Sequence, residues 1–241
     1  MKFVKCITVS LFTVFSVPSF SQNFNNAIKV NLSSLALKNF SFQYERGLTR
    51  HISVALGFRV EPSGTIPLHS FAEKVFDKSD FNLDDFKMGN TAITPEVRFY
   101  LGHGKQRGFY IAPYARYASF NLSLPINYSS GNGNQEALFN GHINSFSGGM
   151  MFGMQYTFGK MVVFDIWLIG AHYGSSNGNA TFVAPGGLSP DDQQSLQQKL
   201  DNINIKPFNF TGTVTANGAT IQTNGPWVGI RSLGFNLGIR F

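Results

Sequence analysis

From Leu233 to Phe241 the chain alternates without a break. Leu233, Phe235, Leu237, Ile239 and Phe241 hold the odd positions, and Gly234, Asn236, Gly238 and Arg240 hold the even ones. A period of two sends the two sets to opposite faces of a β-strand. One face is therefore apolar and the other small or charged. A strand of this kind, closing on an aromatic residue, suits the last strand of a transmembrane β-barrel. The outer surface of such a barrel faces lipid, and aromatic side chains gather at the two bilayer interfaces.

The other end of the chain points the same way. Lys2 and Lys5 precede a short apolar run over residues 7–17, and Ser19-Phe20-Ser21 offers a small-x-small cleavage site. That is the pattern of a secretory signal peptide over 1–21, leaving 22–241 as one outer-membrane barrel domain. The run is too short for a spanning helix, which needs about 20 residues. Cys6 lies before the apolar run and is the only cysteine, so a disulfide-stapled secreted scaffold is excluded. No later segment is apolar for long enough to span as a helix. Charged residues make up 13% of the chain, against about 25% in an ordinary soluble domain. Without Lys2 and Lys5 the basic residues number 17 against 13 acidic, a net +4. No basic cluster of the kind that grips nucleic acid is present, so nucleic-acid binding is not expected.

Eight alternating segments can be counted, near 27–35, 40–46, 52–60, 92–101, 109–122, 145–158, 162–173 and 227–241. The spacing predicts an all-β fold: an eight-stranded antiparallel transmembrane β-barrel with long extracellular loops. Connections after the second, fourth and sixth segments (47–50, 102–108, 159–161) are short. Those after the third, fifth and seventh run to roughly thirty, twenty and fifty residues. Short periplasmic turns and long outer loops are the rule for bacterial barrels, and eight strands return both termini to the periplasm. The first outer connection, around Leu37-Lys38-Asn39, is the irregular one. Within the segments the large apolar set forms the lipid face and the mixed polar set the interior. A lipocalin-like soluble barrel would invert this. A three-residue turn over 159–161 pairs Phe158 with Val162 and directs Asp165 inward, away from lipid. Pro95 and Pro113 each remove a ladder donor and are expected at local bulges.

The inward charges form the candidate site: Glu45, Arg59, Glu96, Arg98, Arg116, Asp165 and Arg240, with Lys29 also facing inward. Pairing the fourth and fifth segments places Glu96 beside Tyr114 and diagonal to Arg116. Buried charges require partners, so the favoured reading is a salt-bridge plug. A proton relay or a small-ligand site is the alternative. Arg231 falls on the lipid face, near the outer end, where it would snorkel. The five histidines show no metal-ligand spacing, and neither a metal nor a cofactor is expected. His51-Ile52-Ser53 lies at the wrong end for lipid A chemistry, and His142 with Ser145 has no carboxylate placed to orient the imidazole. In the longest connection, Ser189-Pro190-Asp191-Asp192 begins a helix with a cap, a first-position Pro and two acids. Leu196, Leu200 and Ile203 form its apolar face. Residues 213–223 read as a hairpin around Asn217-Gly218, and residues 71–76 as a helical turn.

Phe235, Leu237, Ile239 and Phe241 resemble the C-terminal signal recognised by the bacterial barrel-assembly machinery. The whole pattern resembles the small eight-stranded outer-membrane barrels of Gram-negative bacteria, the group of the OmpA membrane domain and OmpX. Phe42-Gln43-Tyr44-Glu45-Arg46, residues 93–100 and the closing stretch from Gly225-Pro226-Trp227 to Phe241 are similar to an uncharacterised family of such barrels. The resemblance implies no catalytic residues. The expectation is a monomeric, non-enzymatic outer-membrane protein that meets the lipid bilayer, lipopolysaccharide and the assembly machinery. Its outer loops would engage an extracellular or envelope ligand. A lipid-modifying enzyme and a narrow pore are the competing readings.

Overall fold

A computed structural model of the protein describes residues 25–65, 86–102, 105–130, 133–202 and 206–241. The expected signal peptide, the turn over 71–76 and Ile203 lie outside these residues. Nine strands form one antiparallel sheet: β1 (Asn26–Asn31), β2 (Phe40–Gly47), β3 (Ile52–Thr65), β4 (Lys87–Tyr100), β5 (Gly108–Ser130), β6 (Gly133–Phe158), β7 (Val162–Val183), β8 (Asn209–Thr215) and β9 (Gly218–Arg240). Neighbours follow chain order from β1 to β7. Next comes β9, which pairs with β1 and closes the sheet into a ring. Among the described residues two helices interrupt the strands: α1 (Leu32–Ala36) and α2 (Pro190–Asp201).

The count differs from the eight strands read from the sequence. The additional strand, β8, pairs only with the far end of β9, from Asn209↔Asn224 to Thr215↔Gly218. It is an appendage to the ring, built within what the sequence reading treated as a loop. Its two-residue turn is Ala216-Asn217, one position before the expected Asn217-Gly218. Gly218 starts β9 with φ +140, a conformation that glycine adopts without steric cost.

The strands run longer than their apolar stretches. β5 and β6 stay paired from Gly108↔Gln155 to Ser130↔Gly133, so the expected twenty-residue connection is itself a long hairpin. Alternation of apolar and polar residues marks where one face is apolar. It is silent about polar strands whose backbone ladder continues regardless. The first segment errs the other way. β1 ends at Asn31, whose side chain accepts a hydrogen bond from Ser34 N (2.7 Å) and starts α1 instead of continuing the strand.

The two faces are inverted relative to an ordinary globular core. In β4, Ala92, Thr94, Glu96, Arg98 and Tyr100 are buried while Ile93, Val97 and Phe99 are exposed. Phe235, Leu237, Ile239 and Phe241 are exposed as well. Lys29, Glu45, Arg98, Gln155 and Asp165 are completely buried, a place such residues occupy only when paired. The short-turn end, called lower here, is sealed by backbone bonds between Asn26 and Phe241 in both directions (3.0 and 2.9 Å).

Two irregularities shape the upper half. The β6–β7 register shifts between Phe152 and Gly153, leaving Leu168 as the extra residue of a bulge. Beside it in β9, Ser232 and Leu233 are both exposed, and the buried set changes from even positions below to odd positions above. The second irregularity is a seam. β9 pairs with β1 only over residues 236–240 and with β8 only over 218–224. Along 225–235 its edge opposite β7 meets no strand. Helix α1 lies there, and Ser33 Oγ accepts a hydrogen bond from Phe235 N (3.0 Å). Pro95 and Pro113 cause no bulge: the β4–β5 register is the same on both sides of them, at Ile93↔Tyr117, Glu96↔Tyr114 and Phe99↔Ile111.

Candidate functional site

The lower half of the interior is a continuous polar network. Lys29 on β1 donates from Nζ to Glu45 Oε2 (2.5 Å), Gln155 Oε1 (2.6 Å) and Asp165 Oδ2 (3.0 Å). Arg98 on β4 donates from Nε to Glu96 Oε1 (2.6 Å), from Nη1 to Asp165 Oδ2 (2.8 Å) and from Nη2 to Gln43 Oε1 (2.8 Å). Its guanidinium also lies 4.4 Å from the centre of the Tyr110 ring. Tyr100 and Tyr110 complete the carboxylates, donating to Glu45 Oε1 (2.7 Å) and Asp165 Oδ1 (2.8 Å). β1, β2, β4, β5, β6 and β7 all contribute. This spread is what inward alternation around a closed ring produces. Every carboxylate here accepts charge-assisted bonds, the strong kind. Lys29, Glu45, Arg98, Gln155 and Asp165 at the centre of the network are fully buried.

Of the expected constellation, Glu45, Glu96, Arg98 and Asp165 meet in this network, and Arg240 lies buried at the lower end. Lys29, which the candidate set omitted although its position is inward, sits at the centre of it. Its alternation within residues 27–31 was the available signal. Arg59 and Arg116 are elsewhere. Arg59 Nη2 pairs with Glu61 Oε2 at 2.8 Å, and Arg116 Nη1 donates to Thr94 Oγ1 at 3.1 Å. Glu96 does stand opposite Tyr114, but its second cation is Arg231, not Arg116.

Arg231 is the largest correction. Unbroken alternation back from Phe241 put it on the outer face. The change of phase at Ser232 and Leu233 turns it inward, where Nη1 lies 3.6 Å from Glu96 Oε2 and the side chain is nearly buried. Its guanidinium lies 4.4 Å from the Trp167 ring centre and 4.9 Å from that of Tyr114. Trp167 follows Val163 and Asp165 inward, and the bulge at Leu168 switches the inward set to Gly170 and His172 above it. His172 Nδ1 shares a hydrogen bond with Tyr114 Oη (3.0 Å). Gly229 makes room for the imidazole, since a Cβ there would sit 2.3 Å from Nε2.

Above the network the side chains separate around a cavity of about 360 Å³. Arg59, Arg116 and Arg231 line it together with Trp167, Trp227 and His172. The remaining expected residues, Leu196 and Leu200, lie half-buried on α2, which packs on β8. Gln197 binds the β8 edge at two points: its Nε2 donates to Gly212 O (3.0 Å), and its Oε1 accepts from Val214 N (2.9 Å). Among the described residues no group of His, Cys, Asp and Glu is placed to hold a metal ion.

A closed antiparallel sheet with apolar residues outside and a paired charge network inside is the class that fold and interior define. Across residues 7–178 the chain matches the model of a family described as a protein of unknown function, DUF3575. The chain belongs to that family. No curated protein matches it.

Proposed function

We propose that the protein is an integral β-barrel of a Gram-negative outer membrane, with its N- and C-termini at the periplasmic side and the long strand extensions outside. It is non-enzymatic, and its work is done by binding at the outer surface. The observation that carries this reading is the exposed apolar band. On β7 and β9 it runs from Val162 and Ile239 up to Tyr173 and Val228, and the outward residues Ser175, Asn177, Asn179, Thr220 and Gln222 above it are polar, with Val183 exposed at the far end of β7. A band of apolar side chains bounded by aromatics and followed by polar strand is what a bilayer requires. The β1–β9 pairing over residues 236–240 satisfies the backbone of the lower ring, and α1 lies along the stretch of β9 above it that has no strand partner on that side. The charge network argues against a pore, because eight strands leave an interior that side chains can fill.

Above the band, β5, β6, β7, β9 and β8 continue as one polar sheet with α2 docked at its edge. That platform supports the binding role. Replacing residues 184–217 with a short Gly/Ser turn removes α2 and β8. The shortened protein is expected to keep the faster gel migration of an unboiled barrel, to fractionate with the outer membrane, and to lose binding to cells, matrix or another envelope protein. Recovery of the intact protein as a soluble periplasmic species would sink the membrane reading. Undiminished surface binding by the shortened one would sink the role of the platform.

A further inference from the structure

The cavity above the charge network is open to the side, and we propose that it binds the anionic head of a single-chain amphiphile that reaches it from the bilayer through the seam beside β9. This rests on the membrane placement proposed above.

Charge identifies the head group. In the lower network Glu45, Glu96 and Asp165 are already matched by Lys29, Arg98 and Arg231, and Arg240 adds a fourth cation at the lower end. Arg59 has Glu61. Arg116 is then left over: Thr94 Oγ1 is its hydrogen-bond partner, and among the described residues no carboxylate lies within 4.0 Å of it. Arginine in a low-dielectric interior without an anion is costly, and a bound carboxylate or phosphate monoester would balance it with a fork of donors. Arg59 Nε and Trp167 Nε1 line the same cavity as buried donors without a protein acceptor. With Arg116, three unsatisfied or underused N–H groups converge on one space.

The wall identifies the tail. Where β9 lacks a strand neighbour, Val228, Ile230 and Leu233 are 70%, 74% and 63% exposed, beside the exposed Leu37 at the end of α1. These residues line the cavity mouth and belong to the outward apolar band. A cavity of about 360 Å³ is near the lower bound for ligand pockets, roughly 300 Å³. It accommodates a head group and the first carbons of a chain, with the remainder lying along the apolar mouth. No covalent step is involved.

Both tryptophans of the chain, Trp167 and Trp227, line the cavity, so binding has an intrinsic reporter. The full protein is reconstituted into phosphatidylcholine vesicles and titrated with dibrominated stearate, whose bromines quench indole fluorescence at contact. Saturable quenching is expected. The methyl ester of the same probe should need at least tenfold higher concentration, and so should Arg116→Gln, while Arg116→Lys should recover part of the affinity. Competition with palmitate and with lysophosphatidate distinguishes a carboxylate from a phosphate head, and displacement by neither overturns the proposal. Equal, unsaturable quenching by acid and ester also overturns it, because that is partition into the bilayer. If Arg116→Gln does not fold, the comparison of acid and ester on the unaltered protein still decides. Vesicle flotation is read in the same samples. A protein that fails to float refutes the membrane placement, whereas one that floats but shows no saturable quenching refutes only the site.

Discussion

Asp165 shows how much one residue can carry in this interior. Its carboxylate accepts from Lys29, Arg98 and Tyr110, and its backbone carbonyl accepts from Asn236 Nδ2 (3.1 Å). Removing the carboxylate leaves Lys29 and Arg98 with Glu45 and Glu96 but takes one buried anion from both cations at once. Breaking a buried pair in this way costs about 3–5 kcal/mol. Asp165→Ala should therefore lower the urea midpoint, followed by gel mobility, far more than Asp191→Ala in the exposed first turn of α2. Equal midpoints would mean that water enters the lower interior. Gly153 tests packing in the same place. A Cβ there would meet the Tyr110 hydroxyl at 2.3 Å and Ile166 O at 2.8 Å, so the ring must move and its bond to Asp165 breaks. Gly153→Ala should destabilise comparably, whereas a small residue at Gly159, with nothing within 4 Å, loses only the strain of its φ of +60.

At the level of elements, α2 and β8 form a unit that hides a sheet edge. An unpaired strand edge invites association with another chain, and β8 is the end strand of the extended sheet. Gln197 occupies that edge with an amide that imitates a neighbouring strand, and Leu200 lies over Gly212, where a Cβ would come within 2.7 Å of it. The helix itself follows from local chemistry: Ser189 Oγ accepts from Asp192 N (3.1 Å), Pro190 begins the first turn and Lys199 sits in the last. Gln197→Ala should leave α2 helical but raise the exchange rate of the Val214 amide, by roughly tenfold for a bond of about 1.4 kcal/mol. The unaltered Leu237 amide serves as the internal standard. No change at Val214 would mean that α2 does not guard this edge.

For the whole molecule, the lower network and the upper cavity make different demands. With Ser53 on β3 donating to Glu45 Oε1, the network joins seven strands of the ring through side chains, so it holds the ring shut as well as filling it. Planar-bilayer recordings should show negligible conductance for the intact protein. Lys29→Ala with Asp165→Ala, which removes one cation and one anion from the centre, should produce small, measurable openings if the network is the barrier. Silence from the double variant would place the barrier elsewhere, with Tyr100 and Tyr110 the next obstruction.

The strands, their short turns, the inward placement of Glu45, Glu96, Arg98 and Asp165, and the start of α2 were all legible in the sequence. Each depends on neighbours a few residues apart: a two-residue pleat, a three-residue turn over 159–161, or a capping serine. What only the tertiary structure decided depends on how separate strands meet. Arg231 turns inward because β9 changes phase beside a bulge in β7, and a phase change leaves no mark in a run where Ser232 and Leu233 are equally acceptable on either face. The partners of Arg59 and Arg116 follow from height in the ring, which is fixed by register and not by parity. The hairpin read over 213–223 contains the end of β8, but its start at Asn209 and its place as a ninth strand on β9 left no signal, because a polar strand on an existing edge needs no apolar face. The seam exists because β1 stops at Asn31 while β9 runs on, a difference in length that acquires meaning only once the ring has closed.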